Sequence, residues 1–171
     1  MGELVVPSAK WADSFRAALI EAAEREESLP WDPPVDCSDE EFAWHISQLA
    51  AGIRGQGHDE PTEFHRWWVE GETYVGRSSL RYLNVRERTT FYASHGDIGY
   101  DVRPSARGRG AATAMLLGML ALAKAEHYPD ALVTCDIDNV ASRRVLEKAG
   151  GIFLDQYDDG VERVLRYRFS W

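Results

Sequence analysis

The chain has 171 residues, of which 44% are apolar and 11% aromatic. This composition excludes a disordered chain, and the length suits one domain with a sizeable core. The longest mostly apolar run, 111–123, is too short to span a bilayer, so no membrane is expected as a partner.

The formal net charge of −9 is placed unevenly. Residues 1–60 hold 13 acidic against 4 basic side chains, whereas residues 61–171 hold 15 of each. Such a surface argues against a nucleic-acid partner and could attract a cationic molecule. Alternatively, the glutamates at 21, 24, 26 and 27 are only a solvated helix face.

Cys37 and Cys135 form neither a disulfide framework nor a metal-binding spacing. The N-terminus lacks the basic start and apolar core of a signal peptide, so a reducing cytoplasm is the expected compartment. The histidines at 45, 58, 65, 95 and 127 show no ligand spacing, and no metal is expected. Cys135 is expected to be a core residue on a strand rather than a nucleophile.

The first 60 residues predict a short strand and two helices. Ser8 can cap the first helix, and Ser38 with Glu41 forms a capping box for the second. Three prolines enforce a loop at 29–36 between them. The expected bounds are 3–6 for the strand, 8–26 for the first helix and 38–53 for the second.

From residue 63 the pattern becomes that of strands, with two further helices. A hairpin signal at 70–72 joins the first two strands, residues 84–95 are ambiguous, and the last two strands form a closing hairpin that could support a homodimer. The expected strands are 64–69, 73–83, 97–102, 131–135, 151–155 and 161–169, and the expected helices are 108–126 and 139–149. No repeat or linker divides the chain, so a single domain over residues 1–171 is expected.

Residues 97–114 carry the most informative pattern, DIGYDVRPSARGRGAATA. It predicts a strand, a turn, a Gly- and Arg-rich loop and a long apolar helix. Gly108 and Gly110 let the backbone approach a ligand, and the first amides of the helix face the same place. Arg103, Arg107 and Arg109 add positive charge, which indicates a pyrophosphate site.

The glycine spacing is neither a dinucleotide fingerprint nor a P-loop. Arg107-x-x-Gly110-x-Ala112 instead resembles the acetyl-CoA loop of the GCN5-related N-acetyltransferases (GNAT), although a basic turn before a core helix is the alternative. A second block, NVASRRVLEKAGG at 139–151, resembles the next stretch typical of that superfamily. The sequence around both blocks is similar to that of a branch of predicted acetyltransferases.

The resemblance implies an α/β (α+β) fold of GNAT type. Its mixed, mostly antiparallel sheet would have about seven strands, with a V-shaped splay between the central ones, and about four flanking helices. Residues 1–60 would supply acceptor-side helices and loops, and residues 96–150 the acetyl-CoA-binding core.

The resemblance also assigns contacts to the cosubstrate, acetyl-CoA. Backbone groups near Val102 would pair with the pantetheine arm, and the amides of the loop would bind the pyrophosphate. Asn139 would contact the thioester region, or else serve as a structural N-cap. The expected cofactor-binding residues are Tyr100, Val102, Arg103, Arg107, Gly108, Arg109, Gly110, Ala111, Ala112, Asn139 and Ser142.

The implied chemistry is transfer of an acyl group from a thioester to an amine. At pH 7 only about one primary amine in a thousand is neutral, so the enzyme must remove a proton. Asp97 is the candidate base, because related branches carry Glu at that strand position. The similar branch often has His there, and an ordinary turn aspartate after Gly96 is the alternative.

The departing thiolate also needs a proton or a hydrogen bond. Many family members use a Tyr at the position that is Leu146 here, which cannot donate. Ser142 lies one turn earlier on the same helix face and is the candidate donor. Alternatively, its hydroxyl satisfies the first turn of its own helix.

Arg81 and Asn84 are expected near the acceptor. The predicted function is acetyl-CoA-dependent N-acetylation of a primary amine, on a small cationic molecule or an antibiotic-like metabolite. The alternatives are a protein N-terminal (ribosomal-protein) acetyltransferase and a non-catalytic acyl-CoA-binding module. The side chains of Trp67 and Trp68 point to opposite faces of a strand. They are expected to pack in and over the core rather than to form a ligand-binding surface.

Overall fold

The computed structural model describes residues 2–52, 63–81 and 89–171, and these ranges form seven strands and five α-helices. The strands are β1 (Glu3–Val5), β2 (Glu63–Glu70), β3 (Thr73–Arg81), β4 (Ile98–Val102), β5 (Asp130–Asp136), β6 (Ile152–Asp158) and β7 (Arg163–Ser170). The helices are α1 (Ala12–Ala23), α2 (Asp39–Ala50), α3 (Thr89–His95), α4 (Ala111–Ala125) and α5 (Val140–Lys148). Short 3-10 turns precede α1 and α4, at Ala9–Trp11 and Pro104–Ala106.

The strands form two sheets, in the orders β1-β2-β3-β4 and β5-β7-β6, and every strand pair within them is antiparallel. The expected α+β class with seven mostly antiparallel strands is confirmed. Helix α3 occupies part of the segment that the sequence left ambiguous.

The two sheets meet where β4 and β5 begin. The backbone N–H of Asp97 donates to the carbonyl of Leu132 at 2.6 Å. Gly96 makes this approach possible: its φ is +65°, and a Cβ there would lie 2.5 Å from the Leu132 oxygen. Within the described ranges β4 pairs only with β3 and β5 only with β7, so the strands separate beyond this contact.

Two apolar layers cover the sheets. Helix α4 buries Met115, Leu116 and Met119 completely. On the other side, α1 and α2 pack Phe15 and Phe42 beside Trp67, whose ring centroid lies 4.6 Å from that of Phe15. Trp67 is therefore a core residue, as the strand pattern predicts, with an exposed fraction of 1%.

Local chemistry sets the helix starts. The predicted capping box is present: the Glu41 amide donates to Ser38, and the Ser38 amide donates to the Glu41 carboxylate. Helix α4 begins at Ala111 rather than 108, because Gly108 and Gly110 adopt φ values of +77° and +88° that no α-helix contains.

Candidate active site

A cleft of about 360 Å³ opens beside the point where the two sheets diverge. Its wall comes from the loop after α1, from α2, from β2 to β4, and from the residues that join β5 to α5. The lining residues are Leu29, Trp31, Leu49, His65, Trp67, Arg77, Ser78, Ser79, Arg81, His95, Gly99, Tyr100, Asp101, Asp136 and Asn139.

The structure brings some of the predicted site residues to this cleft and not others. Tyr100, Asn139 and Arg81 line it. Within the described chain, Asp97 and Ser142 are not on its wall, although Ser142 contacts Tyr100. Asn84 lies outside the described residues.

The predicted phosphate loop leads directly into α4. A Cβ placed on Gly108 or Gly110 would meet no heavy atom within 4 Å, so the space in front of the loop is open. Gly110 is the N-cap of α4 and has no side chain with which to bind the first amides of the helix. Arg109 is exposed beside them. This arrangement presents amides and positive charge to an anion.

Two glutamates of the α1 end contact the arginines of this loop region. Glu21 accepts from Arg103 Nε at 2.7 Å and from the hydroxyl of Ser105 at 2.9 Å. Glu27 accepts from the guanidinium of Arg107. That hydrogen bond lowers the pKa of Glu27, so the carboxylate is ionised at neutral pH. The acidic end of α1 is thus more than a solvated face, because it neutralises cationic groups of the loop.

Arg107 also folds back onto β4. Its Nε donates to the carbonyl of Val102 at 3.1 Å. Val102 is the residue whose backbone the resemblance assigns to the pantetheine arm. In this conformation the Arg107 side chain therefore lies between the strand end and Glu27.

Tyr100 and Ser142 form a hydroxyl pair across the gap between β4 and α5. Their oxygens lie 2.7 Å apart. Burial raises the pKa of Tyr100 to about 12, although the hydrogen bond to Ser142 opposes the shift. The amide of Ser142 donates to the Asn139 side chain at 2.9 Å, so Asn139 is a structural N-cap while it also lines the cleft.

Leu146, the position where many family members carry Tyr, is completely buried in the core. Cys135 is buried as well, and burial raises the pKa of its thiol. A thiol held protonated in the core is a poor nucleophile, which supports the expectation that Cys135 is a packing residue.

Asp97 lies at the junction of the sheets. It is 1% exposed, and its carboxylate accepts from the amide of Leu132 at 2.7 Å and from the hydroxyl of Tyr92 at 3.2 Å. Its own carbonyl accepts from the amide of Arg81 at 2.8 Å. The residue therefore links β3, β4 and β5. Its assignment as the base stays a prediction, and this position supports a structural role.

Arg81 lines the cleft but is itself 5% exposed. Its Nε lies 3.3 Å from a carboxylate oxygen of the fully buried Glu63, and one of its terminal nitrogens donates to the carbonyls of His95 and Gly96 at 3.0 and 3.1 Å. These contacts fix the start of the β4 segment, so Arg81 shapes the cleft wall as well as lining it.

One row of residues across the sheet lines the cleft. His65 pairs with Ser79, and Ser79 pairs with Gly99 on β4. Gly99 has no side chain, and a Cβ there would be in ordinary contact with the Ser79 hydroxyl and the Arg81 guanidinium, each at 3.5 Å. The row therefore presents an imidazole and a hydroxyl to the cleft, beside the guanidinium of Arg81.

The electrostatics of the cleft favour a cation. Arg77 is paired with Asp32, and Arg81 with Glu63, so each arginine of the wall has a carboxylate partner. Asp101, 3.8 Å from Arg77, and Asp136 add further negative charge. Carboxylates therefore outnumber arginines at the cleft, which makes its electrostatic potential negative.

Sequence reasoning missed several of these residues. The Arg77–Asp32 pair joins positions 45 apart in the chain, and no local pattern predicts it. The spacing of the histidines indicates no metal site, and it does not identify His65 as a side chain of the cleft. Its signal was the strand alternation, which puts it on the same face as Trp67. Gly96 was visible as a glycine before a strand, but its close approach to β5 required the structure.

Comparisons with known proteins identify the family. The family model described as "Acetyltransferase (GNAT) domain" matches residues 7–152. A comparison of the sequence with curated proteins finds no significant match. Within the described ranges, none of the helices is both long and apolar enough to cross a membrane.

Solved structures share the fold at low identity, each over 99% of this chain. The microcin C7 self-immunity acetyltransferase MccE, solved with acetyl-CoA and AMP, is 14% identical with a TM-score of 0.69 over 92% of its own length. RimL, a ribosomal L7/L12 α-N-protein acetyltransferase solved with coenzyme A, is 15% identical with a TM-score of 0.68 over 93%. The ribosomal-protein-S5-alanine acetyltransferase from Vibrio fischeri is 15% identical with a TM-score of 0.68 over 92%.

Proposed function

Because the chain belongs to the GNAT family of acetyltransferases, we propose that it transfers the acetyl group of acetyl-CoA to a primary amine on a small cationic molecule. Acetyl-CoA is the acetyl donor of this family. The observation that carries the choice of acceptor is the negative lining of the cleft, where carboxylates outnumber arginines. Asp32 and Asp101 both lie beside Arg77, Glu63 lies beside Arg81, and Asp136 adds a further carboxylate. The cleft lies beside the gap between β4 and β5.

The cosubstrate is assigned to the loop that precedes α4. The amides of residues 107–112 bind the pyrophosphate and Arg109 supplies charge. Arg103 and Arg107 also supply charge, in competition with Glu21 and Glu27. Residues 96–150 thus form the acetyl-CoA-binding core, and residues 1–60 the acceptor side. The open space in front of Gly108 and Gly110 supports this assignment.

Two residues are candidates for the proton acceptor. Asp97 is the prediction from the sequence, but its carboxylate is buried and hydrogen-bonded to Leu132 and Tyr92. His65 lines the cleft on the row that ends at Gly99. An imidazole is the side chain that most often takes protons in enzymes. We therefore assign the amine proton to His65 and a supporting role to Asp97.

A protein N-terminus is the second candidate acceptor. RimL and the S5-alanine acetyltransferase are, by name, enzymes of ribosomal proteins, and both share this fold. The α-amino group of a peptide is also a primary amine, and the negative lining would attract it. The two candidates differ in how much of the acceptor must enter a cleft of about 360 Å³.

The first experiment is a calorimetric titration of the protein with acetyl-CoA, with ATP and NADP as controls. Micromolar binding of acetyl-CoA alone supports the loop assignment. Release of thiol is then followed with polyamines, aminoglycosides, aminoacyl nucleosides, and short peptides that begin with Ser or Ala. Binding without thiol release for every amine identifies a non-catalytic acyl-CoA-binding module, and failure to bind acetyl-CoA contradicts the proposed function.

A further inference from the structure

The protein lacks the helix-borne tyrosine that would protonate the departing thiolate, because Leu146 occupies that position and is completely buried. A thiolate leaving group still needs a proton or a hydrogen bond as the C–S bond breaks. A side chain that bears a hydroxyl lines the cleft from the opposite wall of the gap. It belongs to Tyr100, which projects from β4.

We propose that Tyr100 donates a hydrogen bond to the departing coenzyme A sulfur and that Ser142 holds the Tyr100 hydroxyl in position. This inference rests on the proposed acetyl transfer. The donor hydroxyl then comes from β4 instead of α5, and α5 supplies only the serine that binds this hydroxyl. Tyr100 is thereby a catalytic residue and Ser142 a positioning residue.

The geometry supports this assignment in three respects. Tyr100 lies three residues beyond Asp97, where β4 has separated from β5. The edge of β4 at this residue therefore faces the gap rather than a neighbouring strand. Its hydroxyl is 2.7 Å from that of Ser142. The amide of Ser142 is bound by Asn139, which fixes the first turn of α5 and therefore the position of the serine.

The protonation state is suitable for a donor. Burial raises the pKa of Tyr100 to about 12, so the phenol keeps its proton through the neutral range. Burial makes the phenol a weaker acid, and the neutral hydroxyl remains available to donate a hydrogen bond. Asp136 and Asn139 line the cleft on the α5 side of Tyr100, and Asp101 lines it on the β4 side.

The step balances in atoms and charge. The amine nitrogen forms the C–N bond, the C–S bond breaks, and the electron pair leaves with the sulfur. Tyr100 donates a hydrogen bond to that sulfur, which leaves as the thiolate. The proton lost by the nitrogen goes to His65. No oxidant, reductant or further reactant is needed.

Tyr100→Phe keeps the ring and removes only the hydroxyl, so it tests the donor directly. We expect kcat for thiol release to fall about 30- to 100-fold, while Kd for acetyl-CoA changes less than about twofold. Tyr157→Phe is the matched control, since Tyr157 lies on β6 and its hydroxyl contacts Asp159. It should leave both quantities unchanged.

Ser142 requires a pair of variants. Ser142→Ala should lower kcat about three- to tenfold at constant Kd, and Ser142→Thr, which keeps a hydroxyl, should restore most of it. A purely structural serine would not distinguish Ala from Thr in kcat at equal Tm.

The outcomes separate this proposal from the proposed function. An unchanged kcat in Tyr100→Phe overturns the donor assignment, and a loss of acetyl-CoA binding in that variant overturns it in favour of a packing role. Thiol release by the wild-type protein must be seen in the same assay. Its absence with all the amines contradicts the acetyltransferase function itself, and the donor assignment with it.

Discussion

Glu27, just beyond the end of α1, is hydrogen-bonded to Arg107 in the loop before α4, 80 residues away in the chain. Glu26 reverses the chain at the helix end with φ +59°, and the amide of Glu27 bonds back to Ala22. The carboxylate of Glu27 therefore already binds the Arg107 guanidinium that is assigned to the pyrophosphate. The two anions compete for one cation, so this pair should weaken cosubstrate binding.

Glu27→Gln should tighten acetyl-CoA binding about two- to fivefold, the amount by which a partly exposed ion pair normally contributes. The measurement is a calorimetric titration at low salt. Glu24→Gln removes the same charge from the end of α1 and serves as the matched control, with an expected change below about 1.5-fold. Equal effects of both variants would show that general surface charge, and not the Glu27–Arg107 pair, changes the affinity for acetyl-CoA.

The phosphate loop is tested by Gly110→Trp, which should abolish acetyl-CoA binding because the side chain would fill the open space that the pyrophosphate needs. Gly160→Trp is a close control. Gly160 lies in the β6–β7 turn with φ +85° against +88° at Gly110, and a Cβ there also meets nothing within 4 Å. Both variants carry similar backbone strain, so only a steric block of the ligand explains a difference in Kd. If Gly110→Trp still bound acetyl-CoA, the assignment of the pyrophosphate to this loop would be wrong.

The junction between the sheets should be the most sensitive backbone position. Gly96→Ala places a Cβ 2.5 Å from the Leu132 carbonyl and should lower the free energy of unfolding by about 2–4 kcal/mol. Gly150 also has a positive φ, +91° against +65° at Gly96, but no neighbour lies within 4 Å of its Cβ position, so Gly150→Ala should cost only about 1 kcal/mol of strain. Urea denaturation measures both, and equal losses would show that the approach of β4 to β5 tolerates a methyl group.

The sequence was sufficient where the determinants are local. Ser38 and Glu41 are three residues apart, so the capping box could be predicted and is present. Gly110 before an apolar run likewise indicated the start of α4, although the positive φ values of the loop delay it to Ala111. Strand alternation placed Trp67 in the core for the same reason.

The sequence was insufficient where a side chain is defined by a distant partner. Asp97 stands at the strand position of a family base, but only the approach of β5 shows that its carboxylate binds the Leu132 amide. The acidic end of α1 could be a solvated face until the fold brought Arg107 beside it. Whether the strand edge at Tyr100 is open depends on which strands pair with β4, and only the fold shows this.

The base assignment is decided by comparing two variants. Asp97→Asn should lower the free energy of unfolding by about 1–2 kcal/mol, because the buried amide weakens the bonds to Leu132 and Tyr92, and should change kcat less than about threefold. His65→Gln should lower kcat about 100-fold with Kd for acetyl-CoA unchanged. A tenfold or greater fall in kcat for Asp97→Asn at unchanged stability would instead make Asp97 the base.

The pH dependence tests the donor independently of any variant. Tyr100 acts in its protonated form, and burial raises its pKa to about 12, so its contribution is complete below that value and is lost only as the pH rises through it. At saturating acetyl-CoA, kcat should therefore rise with deprotonation of the base and then stay level up to about pH 10. Tyr100→Phe should lie below this curve by a constant factor. A fall in the wild-type rate near pH 9 that is absent in Tyr100→Phe would mean that the phenol titrates about three pH units lower. The hydroxyl would then not be held in the buried, neutral state that this donor requires.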